Sequence, residues 1–397
     1  MQEFIDGLIG ATTGLEQHLA YLAGMLVFGA AVVFGFILPI AGVTSWLERR
    51  VWARIQSRIG PNRVGPAGFL QWLADGLKNL LKEDVVPEAV DPRLFRLAPY
   101  VVVTGFVAAF VAVPFAGSLI IADLNIGILY ITAVTSLVVV GILMAGWSSN
   151  NKWSMLGGIR SATQIVSYEI PAGLAIFPAV LLSGTLSMQG IIEAQGWEPW
   201  NWHMFHSPFA LAAFLLFFVS TLAEGNRTPF DLPEAESELV AGFATEYSGM
   251  RSLLFFLAEW GNLYLIGALV ATLYLGGWQV PDFTRSTFLL AVAQFGTFFL
   301  KAYFFVFVAM WIRATLPRVR VDQLMSLCWK YMVPIGLVSM IGTAAVMVAF
   351  PEGNTTMRMT MTGLVGLLIV RFFLRVRYHL RRSKGVGFQP TGSVAQG

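Results

Sequence analysis

The sequence predicts an all-α membrane protein, a polytopic bundle of eight to nine transmembrane helices with further amphipathic helices in the membrane interface. The chain has 397 residues, of which 56% are hydrophobic and 12% charged. Soluble domains carry roughly 45–50% apolar and about 25% charged residues. The 31 Phe and 12 Trp residues are typical of lipid-facing helices with Trp at the interface. A water-soluble fold could not bury this much apolar surface, so we expect the bilayer to be the solvent.

Apolar runs of about 20 residues, the length that crosses a hydrocarbon core as a helix, predict eight spans. They lie near 19–46, 97–115, 127–147, 165–183, 208–223, 253–275, 288–312 and 331–350. A candidate ninth span near 359–374 is short and contains Arg371, so it either spans by snorkelling or lies in the interface. We therefore expect a membrane domain over 1–350, followed over 351–397 by this candidate span and a basic cytoplasmic tail.

The basic residues predict the orientation of the spans. If the N-terminus lies outside, nearly all of the 26 Lys and Arg residues fall on the cytoplasmic side, where they are retained because they resist translocation. The segment 1–17 lacks Lys and Arg, so it does not resemble a cleavable signal. We therefore expect a multi-pass protein whose N-terminus is outside and whose long loops are cytoplasmic.

Cysteine and histidine usage limits the metal chemistry of this chain. Cys328 is the single cysteine, which excludes an intrachain disulfide and an iron–sulfur cluster held by this chain's thiolates alone. His203 and His206 are three residues apart, but no third ligand accompanies them. We expect no metal site.

The first inner loop, 47–96, is basic and contains two unusual segments. One helical face of 69–81 is apolar, which predicts an amphipathic helix in the interface; a simple surface anchor is the alternative. The Gly- and Pro-rich segment 60–66 forces an irregular backbone, whose polar groups must be satisfied by protein or water. A partner or a cavity is therefore implied. Arg50 and Arg58 could equally hold the orientation and bind acidic headgroups.

Acidic residues are concentrated over 224–259, where only Arg227 and Arg251 accompany them. The acids are Glu224, Asp231, Glu234, Glu236, Glu238, Glu246 and Glu259. Pro233 predicts the start of a helix on which Glu234 and Glu238 share a face. Crowding and desolvation favour protonated carboxyl groups, so such a cluster can take up and release protons as a unit. A solvated acidic loop is the alternative.

Three charged residues fall within predicted spans. Glu169 lies at the start of the fourth span, Glu259 in the sixth and Lys301 in the seventh. A charge at mid-bilayer costs about 2.5 kcal/mol or more on insertion scales. Each acid should therefore be protonated, paired or near water, and Lys301 is a candidate counter-charge. A lone structural ion pair is the competing interpretation.

Several motifs occur in one order along the chain. They are ERR at 48–50 with GPNRVGP at 60–66, RS at 160–161 with SYEIP at 167–171, AEGNRTPFDL at 223–232, and WIRATLPR at 311–318. On these motifs the chain resembles the H-type membrane subunits of bacterial NADH:quinone oxidoreductase, respiratory complex I, a family that includes a mitochondrial core membrane subunit. The resemblance covers about 19–350 and leaves the role of the remainder open.

The resemblance implies a membrane protein that forms the quinone chamber with the peripheral arm and couples quinone reduction to proton translocation. The residues implied to surround the chamber are Glu48, Arg49, Arg63, Glu224, Arg227, Glu234, Glu236, Arg313 and Arg318. Those implied to carry proton coupling are Glu169, Asp231, Glu238, Glu246, Glu259 and Lys301. No complete active site is expected on this chain alone, and ubiquinone or menaquinone would be the substrate. NADH, FMN and iron–sulfur clusters would be bound by partner subunits.

The implied partners are the peripheral-arm quinone-site subunits, neighbouring small membrane subunits, quinone and membrane lipid, with no nucleic acid. The implied location is the bacterial plasma membrane. Two other functions remain open: the corresponding subunit of a membrane-bound hydrogenase, which needs no quinone, and a free-standing proton-coupled transporter. The large basic inner loops favour docking to other subunits over transport by a solitary chain.

Overall fold

The computed structural model describes residues 31–233, 236–281, 286–351 and 355–385, together with Gly24, Val27 and Gly29. These residues form helices and connecting segments without a β-strand, which confirms the all-α prediction. Six helical segments within them are long and apolar enough to cross a membrane. They are Pro92–Ala112, Gly127–Ser148, Lys152–Ser183, Gly249–Tyr274, Thr287–Thr315 and Val321–Ala349. The predicted count of eight to nine spans is thus not confirmed.

The helices follow one another in the chain with short connections. In order they are α1 Leu38–Ile55, α2 Gln71–Leu81, α3 Pro92–Ala109, α4 Gly127–Ser148, α5 Lys152–Ser183, α6 Met188–Glu193, α7 Pro208–Glu224, α8 Glu236–Leu239, α9 Gly249–Tyr274, α10 Thr287–Thr315, α11 Val321–Ser326, α12 Val333–Ala349 and α13 Thr355–Gly385. Single 3₁₀ turns lie at Pro66–Gly68, Phe110–Ala112, Pro199–Asn201, His203–Phe205 and Gly242–Ala244, and π-helical segments at Val33–Ile37 and Leu327–Met332.

Helices α5 and α1 are among those that extend beyond the predicted spans. Helix α5 begins at Lys152, where the Asn151 side chain accepts a hydrogen bond from the Trp153 backbone N–H, so Glu169 lies near the middle of the helix rather than at its start. Helix α1 continues to Ile55, so Glu48 is helical and not part of a loop. An apolar run in the sequence marks only the part of a helix that faces lipid. Turns whose polar side chains pack against protein are not included in the run, so the helix is longer than the run.

Three other predicted helices agree with the structure to different degrees. The first part of the predicted span 19–46 lies largely outside the described residues. Helix α7 has 17 residues, which leaves it shorter than the six membrane-spanning candidates. The amphipathic helix predicted over 69–81 is present as α2, with no residue fully buried.

Helix α9 lies at the centre of the bundle, and small residues bring its neighbours close. A Cβ added to Gly267 would overlap the carbonyl of Ala302 on α10, and one added to Gly261 would overlap the Phe106 ring of α3. Small residues at helix contacts allow such close approach in membranes. The hydroxyl of Tyr274, fully buried, donates to the Ala175 carbonyl of α5. These contacts fix α9 against three helices and so position Glu259 and Trp260.

Helix α13 is continuous over Thr355–Gly385 and is longer than the candidate ninth span. Near its start, Arg358 donates to Asn201 with an N–O distance of 3.4 Å. Further along, the Phe372 ring lies 5.8 Å from that of Trp311 on α10. The helix therefore extends alongside the bundle from the level of the Pro199–Asn201 turn to the far end of α10.

Candidate functional site

A buried cluster of charges joins α1, α9, α10 and the segment after α7. Nη1 of Arg227 lies 3.1 Å from Oε1 of Glu48 and 3.1 Å from Oε1 of Glu259. Arg313 also donates to Oε1 of Glu48, and Trp260 Nε1 donates to Oε2 of Glu48 at 2.8 Å. Two carboxylates and two guanidinium groups therefore meet at one place, which we call the ion cluster.

The ion cluster is shielded from its surroundings. The exposed fraction of the side chain is 4% for Arg227, 8% for Glu48 and 17% for Glu259. Charges buried to this degree are stable only when they are paired and hydrogen-bonded. A lone ion pair is one sequence-based interpretation of Glu259, and the structure instead places this residue in a network of four charged groups.

The segment 223–232 is held in place by Gln164 of α5. Its Nε2 lies 2.7 Å from the carbonyls of both Ala223 and Phe230, and 3.1 Å from Oδ1 of Asn226. The Asn226 side chain in turn donates to Ser161 Oγ at 3.0 Å. Because these bonds fix the backbone on both sides of Arg227, its guanidinium group is aimed at α1 and α9. A buried polar network of this kind specifies one arrangement.

A second ion pair lies at the end of the same segment. Nη2 of Arg318 is 3.1 Å from Oδ2 of Asp231, while Oδ1 of Asp231 is buried without a hydrogen-bond partner in the part of the chain that the structure describes. Burial raises the pKa of Asp231 above its ordinary value, and the charge of Arg318 opposes this effect. Asp231 is thus poised closer to protonation than an exposed aspartate.

A cavity of about 820 Å³, the lateral cavity, lies between α1, α2 and α9. Its walls are mainly apolar and include the side chains of Phe34, Ser45, Arg49, Leu73, Asp75, Leu77, Phe256 and Trp260. Arg49 and Asp75 form a 2.5 Å ion pair there. Trp260 lines this cavity and also donates to Glu48, so a single indole separates the apolar space from the ion cluster.

Two further cavities share lining residues with the lateral cavity or with each other. The middle cavity, about 70 Å³, is lined by Phe256, Glu259 and Glu224 among others, and Phe256 also lines the lateral cavity. The inner cavity, about 410 Å³, shares Glu224 and Asn262 with the middle cavity and is also lined by Glu169. The middle cavity therefore adjoins the other two, with Phe256 between it and the lateral cavity and the carboxyl group of Glu224 between it and the inner cavity. The middle cavity has room for one or more water molecules beside polar partners.

Other predicted site residues lie away from the ion cluster. Glu238 forms a 2.6 Å ion pair with Arg160 and is 57% exposed, and Glu246 accepts from Asn151 Nδ2 at 2.7 Å. Arg63 is exposed. Glu234 lies outside the described residues, and Glu236 begins α8 but its side chain is not among those described. Helix α8 has only four residues, so the predicted shared face of Glu234 and Glu238 stays a prediction.

Lys301 has a different environment from the one expected. Its Nζ donates to the carbonyls of Leu275 at 2.7 Å and Gly277 at 3.0 Å, and it lies 4.6 Å from the centre of the Trp202 ring. Carbonyls at the end of α9 carry partial negative charge, which a lysine satisfies. The counter-charge of Glu259 is therefore Arg227 rather than Lys301. A role of Lys301 in proton coupling stays a prediction.

Sequence reasoning misses several residues that build the site. From the sequence, Trp260 is only the neighbour of an acid, Gln164 is only a polar residue before an apolar run, and Asp75 is only a member of a polar helical face. Gln164 carries a usable signal, because a glutamine at the edge of an apolar run must find partners within the protein. Nothing in the local pattern indicates that Trp260 donates to a residue of α1.

Comparison with known proteins gives consistent results. Residues 28–344 match a family model described as NADH dehydrogenase. A protein from Anaeromyxobacter dehalogenans, named as the H subunit of NADH-quinone oxidoreductase, is 56% identical over 82% of this chain and 83% of its own length. The protein of the same name from Chlorobaculum tepidum is 48% identical over 80% and 91%. NADH-quinone oxidoreductase subunit 8 of Rhodothermus marinus is 45% identical over 79% and 94%. The residues matched by the family model include the ion cluster and all three cavities and end before α13.

Proposed function

This chain belongs to the NADH dehydrogenase family, and we propose that it is a membrane subunit of a proton-pumping NADH–quinone oxidoreductase that admits quinone and couples its reduction to proton translocation. The names of the relatives favour this function over the hydrogenase subunit and the solitary transporter. The chain contributes to an oxidoreductase complex, and the electron carriers NADH, FMN and iron–sulfur clusters belong to partner subunits in this proposal.

The observation that carries the proposal is the lateral cavity with Trp260 in its wall. A volume of about 820 Å³ falls within the range of roughly 300–1,000 Å³ typical of ligand pockets. Phe34, Leu73 and Leu77 line it and are 69%, 44% and 54% exposed, so the cavity opens sideways through apolar side chains. An isoprenoid tail fits such a wall. The quinone head gains negative charge on reduction, which Arg49 in the same cavity stabilises.

Coupling begins at the ion cluster. Glu48 and Glu259 compete for one nitrogen of Arg227. When one of these carboxylates is protonated, Arg227 pairs with the other. A change in the protonation of Glu48, which accepts a hydrogen bond from Trp260, therefore alters the electrostatic interaction between Arg227 and Glu259. Glu259 lines the middle cavity, from which Glu224 and Glu169 continue into the inner cavity. Membrane-embedded acids that line water-sized cavities are the usual components of proton relays.

Exposed apolar residues support the assignment of two surfaces of the chain to partners. On the first inner loop, Ile59 is 84% exposed beside exposed basic residues, and we assign this loop to the peripheral-arm subunits. Leu129 and Phe177 line the inner cavity and are 56% and 52% exposed, which suits a neighbouring small membrane subunit or lipid. The proposed location is the bacterial plasma membrane, with the N-terminus outside, a membrane domain over 1–350 and an extension over 351–397.

Filling the lateral cavity tests the proposal. Ser45→Phe places a ring in that cavity, since Ser45 is buried and lines it. In the purified complex, we expect the KM for a long-chain quinone to rise about tenfold, because the tail and the new ring compete for one space. The control is Ser136→Phe on α4, whose hydroxyl bonds to the Ala133 carbonyl of its own helix. Equal KM values for the two variants would show that quinone does not use this cavity.

A further inference from the structure

A polar cavity of about 170 Å³ lies at the opposite end of α5 from Lys152 and is distinct from the three cavities above. It is enclosed by the last turns of α5 and α12, the Pro199–Asn201 and His203–Phe205 turns and the start of α13. The polar side chains that line it are those of Asn201, His203, His206 and Arg358. We call it the polar cavity.

Nitrogen donors in the polar cavity have spare hydrogen-bonding capacity. Nδ1 of His206 and Nε of Arg358 are buried and have no hydrogen-bond partner within the described residues. Arg358 Nη1 makes only a long 3.4 Å bond to Asn201 Oδ1. Buried donors that stay unsatisfied are costly, and their convergence on one cavity indicates a ligand that accepts hydrogen bonds.

The charge of the polar cavity indicates what kind of ligand it takes. Burial, aided by the charge of Arg358, lowers the pKa of both His203 and His206 to about 4, so both rings are neutral at pH 7 and Arg358 supplies the positive charge. His203 Nδ1 donates to the Leu273 carbonyl at 3.0 Å, so the other nitrogen of this neutral ring is an acceptor, and His203 is not one of the spare donors. Glu198 bonds to the Nδ2 of Asn201 at 2.9 Å and does not line the cavity.

We propose that the polar cavity binds a phosphate group, with Arg358 as the charged donor and His206 as a neutral one. An arginine side chain matches the oxygens of phosphate with two parallel donors. The phosphate comes from a phospholipid headgroup or from inorganic phosphate. The headgroup is favoured because the cavity lies at the ends of two membrane-spanning helices, where Leu182 and Met347 provide an apolar wall for acyl chains.

Binding at this place would connect two parts of the chain. His203 and His206 lie within residues 28–344, which match the family, whereas Arg358 belongs to α13 beyond them. A phosphate held between them attaches α13 to the membrane domain. This inference does not depend on the quinone function proposed above, because it concerns a separate cavity and a helix outside the matched residues.

Photo-crosslinking in the intact complex tests the lipid source. Met347→p-benzoylphenylalanine places the reactive group in the cavity wall, and the complex is reconstituted in nanodiscs containing phosphatidylglycerol or, in parallel, diacylglycerol. We expect capture of phosphatidylglycerol, with roughly tenfold less after Arg358→Gln, the loss typical of a charge-assisted bond. Arg358→Lys should retain most of the capture. The matched control, Arg371→Gln, removes the same charge from an exposed position of α13 and should leave capture unchanged.

Thermal unfolding of the same complexes tests the inorganic source. If millimolar phosphate, compared with chloride at equal ionic strength, stabilises the wild type but not the Arg358→Gln variant, inorganic phosphate occupies the cavity. Capture that depends on Arg358 identifies the headgroup instead. If capture is equal in the wild type and in Arg358→Gln and phosphate stabilises neither, the proposal is overturned.

Discussion

Glu48 and Glu259 each have a carboxylate oxygen 3.1 Å from the same nitrogen of Arg227, although they belong to different helices. Their environments are not equivalent. Glu48 has further donors in Arg313 and Trp260, whereas Glu259 faces the middle cavity. The shared nitrogen therefore links a firmly held carboxylate to one that lies beside space for water.

Removal of the shared cation should destabilise the protein strongly. Arg227→Gln leaves two buried carboxylates with Arg313 as their remaining charged partner, and breaking a buried pair in this way costs about 3–5 kcal/mol. We expect a lower unfolding temperature of this chain in the purified complex and a loss of quinone reduction. Arg251→Gln is the control, because it also breaks an ion pair of α9, but with a single carboxylate, Asp84, that is 37% exposed, and we expect a smaller loss. Similar losses in both variants would contradict the central role of Arg227.

Adding a Cβ at Gly42 should disrupt the contact between α1 and α2. A Cβ at Gly42 would overlap the Trp72 ring, so Gly42→Ala must displace α2 and change the lateral cavity. We expect a loss of about 1–3 kcal/mol in the free energy of unfolding, typical of overpacking, and a higher KM for quinone. Gly76→Ala is matched, because Gly76 also lines this cavity but has open space for a Cβ and lies within a helix that alanine favours. If the two variants behave alike, Gly42 does not set this contact.

Glu224 should be required for proton transport rather than for electron transfer. It lines both the middle and the inner cavity, so Glu224→Gln removes the titratable group where they meet. We expect proton translocation per quinone reduced to fall about 100-fold, the scale of a lost acid–base group, in proteoliposomes that contain the complex. Glu193→Gln, at the exposed end of α6, should have no effect. Normal translocation in the Glu224 variant would remove this residue from the route.

The stability of the segment after α7 should depend on pH through Asp231. Burial raises its pKa above the ordinary value of 3.8, so the folded state favours the protonated carboxyl group. The stability contributed by this preference is present at low pH and is lost as pH rises through the raised pKa. Asp231→Asn resembles the protonated form, and we therefore expect its stability relative to the wild type to increase with pH.

Thermal unfolding of the complex from about pH 4 to pH 7 measures this difference. Asp322→Asn, which replaces an exposed aspartate of α11, provides the control. Parallel pH curves for the wild type and Asp231→Asn would show that Asp231 titrates in the folded state as it does in the unfolded state.

Local sequence patterns predict individual helices and their apolar faces. Features that depend on contacts between residues far apart in the chain are not predicted by these patterns. The face of α2 follows from the helical repeat, because every third or fourth residue between 69 and 81 is apolar. The pairing of Arg227 with Glu48 could not be predicted, since it joins residues far apart in the chain whose geometry depends on how α1 packs against α9. Helix α5 begins before the predicted span 165–183, because its first turns carry polar side chains that an apolar run does not include. The cavities arise from gaps between side chains, which no sequence period encodes.

The equal numbers of acids and arginines in the ion cluster have an electrical consequence. With all four groups ionised, the cluster has no net charge, and its electric field therefore decreases steeply with distance. A single added proton gives it one positive elementary charge in a medium of low permittivity, where a charge acts over a much longer range than in water. Distant carboxylates would then experience a positive electrostatic potential that the neutral cluster does not produce. No displacement of the backbone is needed for this effect.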